Sequence, residues 1–247
     1  MRLIRADGHQ QQQWALVHVH TQTIARIFSE HISDFVLIIA IAQVLQKCTG
    51  EMHDDLDQKL TNIRNLYQQN SSKVHIPVPD YIIELLQALH ELYYQPRNRL
   101  YKQVGEQINS LRGAVVELIG LKLIKPRYNQ EDECANSRRF VDRHNTKITL
   151  QEVDIAALSH TRHQLEGYEC KTKAVALMND DRIDLEYLYK AALEENYQAH
   201  VGVISLDPTK MVLKRLRHLG ADDCVQAYGV DMLRDLHYSP FDGTTIS

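Results

Sequence analysis

The stretch Leu-Glu-Gly-Tyr-Glu-Cys-Lys-Thr-Lys, residues 165–173, decides how the rest of the chain is interpreted. Successive side chains of a β-strand point to opposite faces. If residues 165–173 form a strand, Glu169, Lys171 and Lys173 share one face, opposite Cys170. A carboxylate and an ammonium on one strand face can both reach a single phosphate group, the carboxylate through a bound metal ion. The stretch therefore predicts a site for phosphate chemistry.

A second strand is predicted just upstream, in Glu-Val-Asp-Ile-Ala-Ala-Leu, residues 152–158. Asp154 interrupts its otherwise apolar pattern, at a position where a structural residue would more often be apolar. We predict strands over 148–158 and 164–174, joined by a short polar turn, so that the two are antiparallel neighbours. This arrangement would place Asp154 close to Glu169.

The composition is that of a soluble globular protein of 247 residues, with 44% hydrophobic and 24% charged residues. The net charge of −4 disfavours a general nucleic-acid coat protein, although a nuclease needs only a local basic cleft. Four cysteines without a CxxC pair argue against a cysteine-based metal site and a disulfide framework, and they favour a reducing compartment. The longest apolar run, residues 35–42, is far shorter than the roughly 20 residues that span a bilayer. With no signal peptide in the sequence, we predict a cytoplasmic protein without membrane contact.

The chain divides into two predicted domains. Residues 1–96 have helical apolar spacing and no catalytic cluster, which predicts an all-α region for recognition or dimerisation. Residues 97–247 are predicted to fold in the order α, β, β, α, β, α, β, with at least one further strand possible before Glu152. The predicted fold class is therefore α/β, with a mixed central sheet flanked by helices.

Three features of the second domain give local predictions. A helix ending near residue 124 contains Gly113 and Gly120, which are tolerated where a helix lies close against a sheet. Residues 127–147 are predicted to be a loop or an irregular hairpin. Residues 178–184 are predicted to be a turn, followed by a helix to about residue 196.

Phosphodiester hydrolysis needs charge neutralisation, an activated water and stabilisation of the leaving oxygen, and Mg²⁺ can supply all three through oxygen ligands. Asp154 and Glu169 are the predicted metal ligands, with the backbone carbonyl of Cys170 as a further ligand. Lys171 is predicted to orient the attacking water or to stabilise the developing negative charge. A carboxylate from the preceding helix would complete the site, either Glu117 or, alternatively, Glu106.

These residues resemble the motif of the PD-(D/E)XK nuclease superfamily, which includes many restriction endonucleases, Holliday-junction resolvases and nucleases of prokaryotic defence systems. The resemblance rests on Glu117, then Val153-Asp154-Ile155, then Glu169-Cys170-Lys171, and it covers about residues 100–228. It implies an αβββαβ core of the restriction-endonuclease type and Mg²⁺, for which Mn²⁺ would substitute. Asp154, Glu169 and Glu117 would then hold the metal, and Lys171 would be the catalytic lysine. The chain departs from the family pattern because Glu152-Val153 stands where a proline would precede the aspartate.

Several basic residues are candidates for contacts with the nucleic-acid backbone. One set leads into the first catalytic strand and would contact phosphates or form a solvated loop. A second set, after residue 208, is interpreted first as a helix surface and second as a phosphate-binding surface. The first set is Arg138, Arg139, Arg143 and Lys147, the second is Lys210, Lys214, Arg215 and Arg217, and Lys173 would contact phosphate or lie on the surface.

Structural explanations compete with the catalytic interpretation. Glu169 and Lys171 could be an exposed pair on an edge strand, worth about 0–1 kcal/mol. Glu117 could lie on the solvent-exposed face of its helix, and Glu166 is predicted to face solvent or to lie behind the site. The aspartate within an apolar strand favours the catalytic interpretation.

Three functions follow from these residues. The favoured one is a Mg²⁺-dependent endonuclease that cuts DNA as a homodimer, because cutting both strands needs two sites. An RNA or single-strand nuclease in antiviral defence is the alternative with the same fold. A nucleic-acid-binding subunit with a decayed site is the non-enzymatic alternative, against which intact Asp154, Glu169 and Lys171 argue.

Overall fold

The computed structural model describes residues 1–5, 10–48, 55–69, 77–94, 101–149 and 151–241. The chain forms two compact units. One contains residues 10–119, and the other contains residues 1–9 together with 120–247. The domain boundary predicted at residues 96–97 lies outside the described residues and stays a prediction.

The regular elements in the described part of the unit of residues 10–119 are all helices. Helix α3 begins at Phe35, where the Asp34 side chain accepts a hydrogen bond of 3.1 Å from the N–H of Leu37 and so caps the helix. Apolar side chains such as Ile41 and Leu89 are fully buried and form the core of this unit. Its helices are α1 (Gln10–Leu16), α2 (Val19–Glu30), α3 (Phe35–Lys47), α4 (Leu56–Gln69), α5 (Asp80–Tyr94) and α6 (Tyr101–Ile124), the last of which continues into the second unit.

The second unit is built on a six-stranded sheet in which the strands follow one another in chain order. Strands β1 to β4 are successive antiparallel neighbours, whereas β5 is parallel to β4 and β6 is parallel to β5. Helices α7 and α8 form the two crossovers that parallel pairing requires. The elements are β1 (Arg2–Arg5), β2 (Glu133–Val141), β3 (Val153–Ser159), β4 (Gln164–Lys171), α7 (Asn179–Glu194), β5 (Gln198–Ser205), α8 (Thr209–His218) and β6 (Val225–Tyr228).

Helices pack on both faces of this sheet. An ideal Cβ placed on Gly120, near the end of α6, would lie 2.5 Å from Cδ1 of Ile155 and 3.9 Å from Sγ of Cys170. A Cβ on Gly167 would lie 2.5 Å from Cδ2 of Leu188 on α7. Because Gly167 and Cys170 point to opposite faces of β4, the two helices lie on opposite sides. The predicted α/β class with a mixed sheet is confirmed, while the nuclease core stays a prediction.

The two glycines of α6 give a prediction of stability with an internal control. We expect Gly113→Ala to stabilise the protein by about 0.5–1 kcal/mol, because no described atom lies within 4 Å of the added carbon. Gly120→Ala should be less stable than Gly113→Ala by about 1–3 kcal/mol, since the buried Ile155 side chain must shift. Urea unfolding followed by circular dichroism measures both. Equal effects at the two positions would contradict the close approach of α6 to the sheet.

Two local predictions are wrong. Residues 127–147 are not a loop or an irregular hairpin, because β2 occupies Glu133–Val141 and pairs with β1 on one side and β3 on the other. Strand β2 is the further strand that the sequence left possible before Glu152. Residues 178–184 are not a turn, because α7 begins at Asn179. The Asp181 side chain accepts a hydrogen bond of 2.6 Å from the N–H of Met178. Acidic residues in a first turn also complement the helix dipole, so the aspartates start the helix.

None of the described helices is both long and apolar enough to cross a membrane. The apolar helix α3 has 13 residues, which rise about 20 Å, whereas the hydrocarbon core of a bilayer is about 30 Å thick. The cytoplasmic location stays a prediction.

Candidate active site

Strands β3 and β4 separate at the point where Asp154 and Glu169 stand opposite each other. Their paired register runs from Ser159↔Gln164 to Ile155↔Tyr168, and no pair beyond it joins these two strands in the described part of the chain. Where the pairing of β3 with β4 ends, the Oδ2 atom of Asp154 accepts a hydrogen bond of 2.7 Å from the N–H of Cys170. The apolar run of β3 therefore builds the strand, and Asp154 ends its regular pairing with β4.

Lys171, the last residue of β4, is the centre of a cluster of carboxylates. Its Nζ lies 2.9 Å from Oε2 of Glu169, 3.3 Å from Oδ1 of Asp181 and 4.0 Å from Oδ2 of Asp154. The Lys171 and Asp154 side chains are 20% and 18% exposed, whereas Glu169 is 6% exposed. The cluster is thus mostly buried but open to solvent on one side. The structure brings together the three residues that the sequence predicted for the two strands.

Asp181 is the member of the cluster that the sequence interpretation missed. It lies in the first turn of α7, and its two oxygens have different partners, since Oδ1 contacts Lys171 and Oδ2 accepts from the N–H of Met178. The sequence does contain a pattern that indicates the position of Asp181. Asp181 precedes a helical series of apolar residues and occupies the third helical position, where an acidic side chain often bonds back to the cap. Once the helix is placed to start at Asn179, Asp181 faces the end of β4.

Burial and mutual repulsion shift the pKa values of the cluster. Burial raises the pKa of Glu169 well above its usual range, and the Asp154 carboxylate raises it further, against the opposing effect of Lys171. Burial also raises the pKa of Asp154, against the effects of Lys171 and the N–H of Cys170. Burial alone would lower the pKa of Lys171, but Glu169, Asp154 and Asp181 together raise it above its usual value. Lys171 therefore stays an ammonium at neutral pH.

The backbone of β2 is also unusual beside this site. Ser137 lies between the pairs Asn136↔Ile155 and Arg138↔Val153, opposite Asp154, and it has a φ of 50°. Non-glycine residues adopt this left-handed conformation rarely, and such residues concentrate at functional sites. The Asn136 Nδ2 contacts the carbonyl of Asp154 at 3.4 Å. Both strands next to Asp154 thus depart from regular pairing at the same position.

Glu117 is buried on α6, three residues before Gly120, and belongs to the helical unit. Its predicted place in the site stays a prediction. Its burial does exclude one of the structural explanations, because Glu117 is not on a solvent-exposed face. The alternative, Glu106, lies earlier in the same helix and is exposed.

The basic residues predicted to contact nucleic acid lie in three places. Arg138 is paired with Val153, next to Asp154, and Arg139 follows it on β2. Arg143 and Lys147 are exposed in the turn after β2, and the N–H of Arg143 contacts Oε1 of Glu195 at the end of α7 at 3.5 Å. Glu195, which contacts this turn, and Asp181, which contacts Lys171, lie at opposite ends of α7, about 20 Å apart. The turn with Arg143 and Lys147 is therefore not next to Lys171. Lys173 is partly exposed and lies two residues after Lys171, the last residue of β4.

Glu166 does not face solvent, because it is 1% exposed and lies on the opposite face of β4 from Glu169. Its Oε1 accepts a hydrogen bond of 2.6 Å from Tyr128, and its Oε2 accepts from Arg127 and Tyr168. Burial would lower the pKa of Arg127, but Glu166 raises it above its usual value, so Arg127 stays charged. This network joins the segment after α6 to the centre of the sheet.

We expect Glu166→Ala to destabilise the protein by about 3–5 kcal/mol, because it leaves the Arg127 guanidinium buried without its carboxylate. Lys190→Ala is the matched control, since it removes an exposed ion pair of 3.2 Å with Asp222 and should cost less than about 1 kcal/mol. Denaturant unfolding of the two variants measures the difference. Similar values for both would contradict a structural role for the Glu166 network.

Among the described residues, no three or more His, Cys, Asp or Glu side chains are arranged as a group that could hold a metal ion. Asp154 and Glu169 remain as a pair of oxygen donors, a number that suits Mg²⁺, which often binds through one or two carboxylates and keeps several waters. With all four groups ionised, three carboxylates and one ammonium give the cluster a net charge of −2. The donor type and the charge therefore both fit a divalent cation.

Comparison of the chain with protein-family models and with curated proteins finds no match. The geometry and electrostatics of the cluster around Lys171 are therefore the basis for inferring a function.

Proposed function

We propose that the chain is a divalent-metal-dependent nuclease that hydrolyses phosphodiester bonds of DNA. The observation that carries the proposal is the cluster of Asp154, Glu169 and Asp181 around Lys171, at the point where β3 and β4 separate. A purely structural ion pair would need fewer carboxylates. Two carboxylates with raised pKa values weaken the fold when they ionise, and such groups concentrate at functional sites.

The residues that would hold Mg²⁺ are Asp154 and Glu169, with the carbonyl of Cys170 as the predicted third oxygen. When bound, Mg²⁺ would neutralise charge on the phosphate and acidify a water molecule. A bound divalent cation would stabilise the ionised forms of Asp154 and Glu169, which burial disfavours in its absence. Mn²⁺, which takes the same oxygen ligands, is expected to substitute. The proposed role of Glu117 as a further ligand stays a prediction.

Lys171 is proposed to act as an ammonium rather than as a base, because its pKa is raised. It would donate hydrogen bonds to the phosphoryl oxygens as negative charge develops on them, in a site where solvent screening is reduced. Asp181 would be a positioning residue, because it contacts Lys171 from a helix end fixed by the hydrogen bond to Met178. The ammonium is therefore held in place before a substrate arrives.

The choice of DNA rests on the resemblance to the PD-(D/E)XK superfamily. The element order α6, β2, β3, β4, α7, β5 is the αβββαβ order that this resemblance implies, which supports the proposal. An RNA or single-strand nuclease would use the same cluster and is the second candidate. The homodimer and a role in antiviral defence stay predictions.

The proposal is tested by a cleavage panel with the full chain. Duplex, single-stranded and branched DNA and RNA are incubated with Mg²⁺, Mn²⁺ or a chelator, with Lys171→Ala as the inactive control. We expect cleavage of DNA only with a divalent ion and only by the wild type. Cleavage of RNA alone would support the second candidate. No cleavage of any substrate, with no Mn²⁺ binding by calorimetry, would reject the nuclease.

A further inference from the structure

Helix α8 presents a stripe of positive charge to solvent. Lys210, Lys214 and Arg217 occupy positions i, i+4 and i+7, which lie on one helix face. All three side chains are exposed. We call these three residues the α8 stripe. It spans about 10 Å along the helix axis at 1.5 Å per residue.

The opposite face of α8 is fixed to the sheet unit. Val212 and Leu216 are 0% and 3% exposed and belong to the core of that unit. Arg215 points to the side, where its Nε and Nη2 donate hydrogen bonds of 3.0 and 2.6 Å to the carbonyl of Leu177. The fold therefore fixes which face of α8 is exposed, and that face carries the stripe.

Carboxylates lie at the start of α8, where Oδ1 of Asp231 accepts a hydrogen bond of 2.7 Å from the N–H of Thr209, but no described carboxylate forms an ion pair with the stripe. Helix α8 contains no acidic residue. Among the described residues, no ion pair within 4 Å includes Lys210, Lys214 or Arg217. The acidic residues that follow in the sequence lie beyond the end of the helix, and one of them, Asp222, pairs with Lys190. In a chain with a net charge of −4, this is a local site for an anion.

The start of α8 lies at the same edge of the sheet as the carboxylate cluster. Lys171 is paired in register with Ser205, the last residue of β5, on the neighbouring strand about 4.8 Å away. The Asp207 side chain accepts a hydrogen bond of 2.7 Å from the N–H of Ala174, three residues after Lys171. Lys210 follows three residues after Asp207. The stripe therefore begins near the cluster and runs away from it.

We infer that the α8 stripe binds the phosphate backbone of the nucleic-acid substrate next to the bond that is cut. This inference rests on the proposed function, because it assigns further phosphate contacts to that site. Phosphates repeat every few ångströms along a strand, so three cations over about 10 Å match consecutive phosphates. A membrane surface fits less well, since an interfacial helix inserts its apolar face, and Val212 and Leu216 are buried in the fold.

The test replaces the stripe by glutamine in the triple variant Lys210→Gln/Lys214→Gln/Arg217→Gln. The control, Arg2→Gln/Lys190→Gln/Arg234→Gln, makes the same charge change on three other elements, β1, α7 and the 3₁₀ turn Leu233–His237. Fluorescence anisotropy measures the Kd of labelled duplex DNA, single-stranded DNA and RNA in a chelator, over a range of salt concentrations. Thermal unfolding checks that both variants fold. Vesicles containing phosphatidylserine are the membrane probe.

The logarithm of the association constant decreases linearly with the logarithm of the salt concentration. In the stripe variant only, we expect this slope to become less steep, by about 2.7 for duplex DNA or about 2 for a single strand. An equal change in the control, or no change in either variant, overturns the inference. Stripe-dependent binding to vesicles without binding to nucleic acid also overturns it. Because binding is measured without the metal, these outcomes are separate from the cleavage panel, whose failure would reject the proposed function instead.

Discussion

Lys171→Ala is expected to lower kcat/KM for metal-dependent phosphodiester hydrolysis by about 10²–10³-fold. The Lys171 ammonium is held by three carboxylates, and its pKa is raised above its usual value, so it is charged throughout the neutral range. A preorganised donor aimed at developing negative charge commonly contributes a rate factor of that size. The loss should lie mainly in kcat, because the donor acts where charge develops.

Two further variants make this result specific. Lys171→Arg keeps the charge but replaces a compact ammonium by a planar fork, so we expect partial activity. Lys190→Ala removes an exposed lysine from α7 and should leave hydrolysis unchanged. Single-turnover assays with each variant at fixed Mg²⁺ measure the chemical step directly. Full activity in Lys171→Ala would show that hydrolysis, if present, uses another site.

The local sequence pattern was sufficient to predict β3 and β4, the two strands that carry the cluster. The apolar run after Asp154 and the alternation before Lys171 predict both strands. The prediction starts β3 at residue 148, too early, since β3 is Val153–Ser159, and it ends β4 at residue 174, too late, since β4 is Gln164–Lys171. Both strands are buried at the centre of the sheet, where side-chain pattern and environment agree. Asp154 stood out because it breaks such a pattern. These predictions depend only on residues that are close to one another in the chain, so the pattern can be seen in the sequence itself.

Long-range pairing could not be predicted in the same way. Strand β2 has the polar, mixed-charge composition of a loop, so the sequence left it only as a possible strand before Glu152. It pairs with β3 and also with β1, more than 130 residues earlier in the chain, from Arg2↔Val141 to Arg5↔Arg138. Backbone hydrogen bonds to two neighbours stabilise β2 despite its polar side chains. Glu166 was misplaced for a related reason. Its burial depends on Arg127, 39 residues away, which no local pattern reveals.

The carboxylate cluster combines these two kinds of information. The sequence predicted two of its carboxylates from their strands, whereas Asp181 enters from a helix whose start was misplaced. The charge of the whole carboxylate cluster is expected to affect the free energy of unfolding as well as catalysis. Groups placed for metal binding repel one another when the metal is absent, so activity and stability should respond in opposite directions to the loss of one carboxylate.

Glu169→Gln is therefore expected to abolish metal-dependent hydrolysis while stabilising the metal-free protein. The folded-state pKa of Glu169 lies above its unfolded value, because of burial and then the repulsion by Asp154. The fold therefore disfavours ionised Glu169. The penalty is absent below the unfolded-state pKa, grows as the pH rises from that value to the folded-state pKa, and is constant above it. Glutamine has the same shape and never ionises. We expect a gain on the order of 1 kcal/mol at pH 8, or about 2–4 °C in Tm, and a smaller gain at pH 5.

Thermal unfolding of both proteins at pH 5 and pH 8, in chelator and in Mn²⁺, tests this expectation. Mn²⁺ should raise the Tm of the wild type more than that of Glu169→Gln, because ligand binding to the folded state stabilises it. Glu186→Gln is the matched control. Glu186 is also buried, but both its oxygens lie 2.9 Å from Nη1 of Arg182, so its substitution should lower the Tm at both pH values. If Glu169→Gln instead lowered the metal-free Tm at pH 8, Lys171 would outweigh the repulsion, and the cluster would be a structural ion-pair network rather than a site that needs a cation.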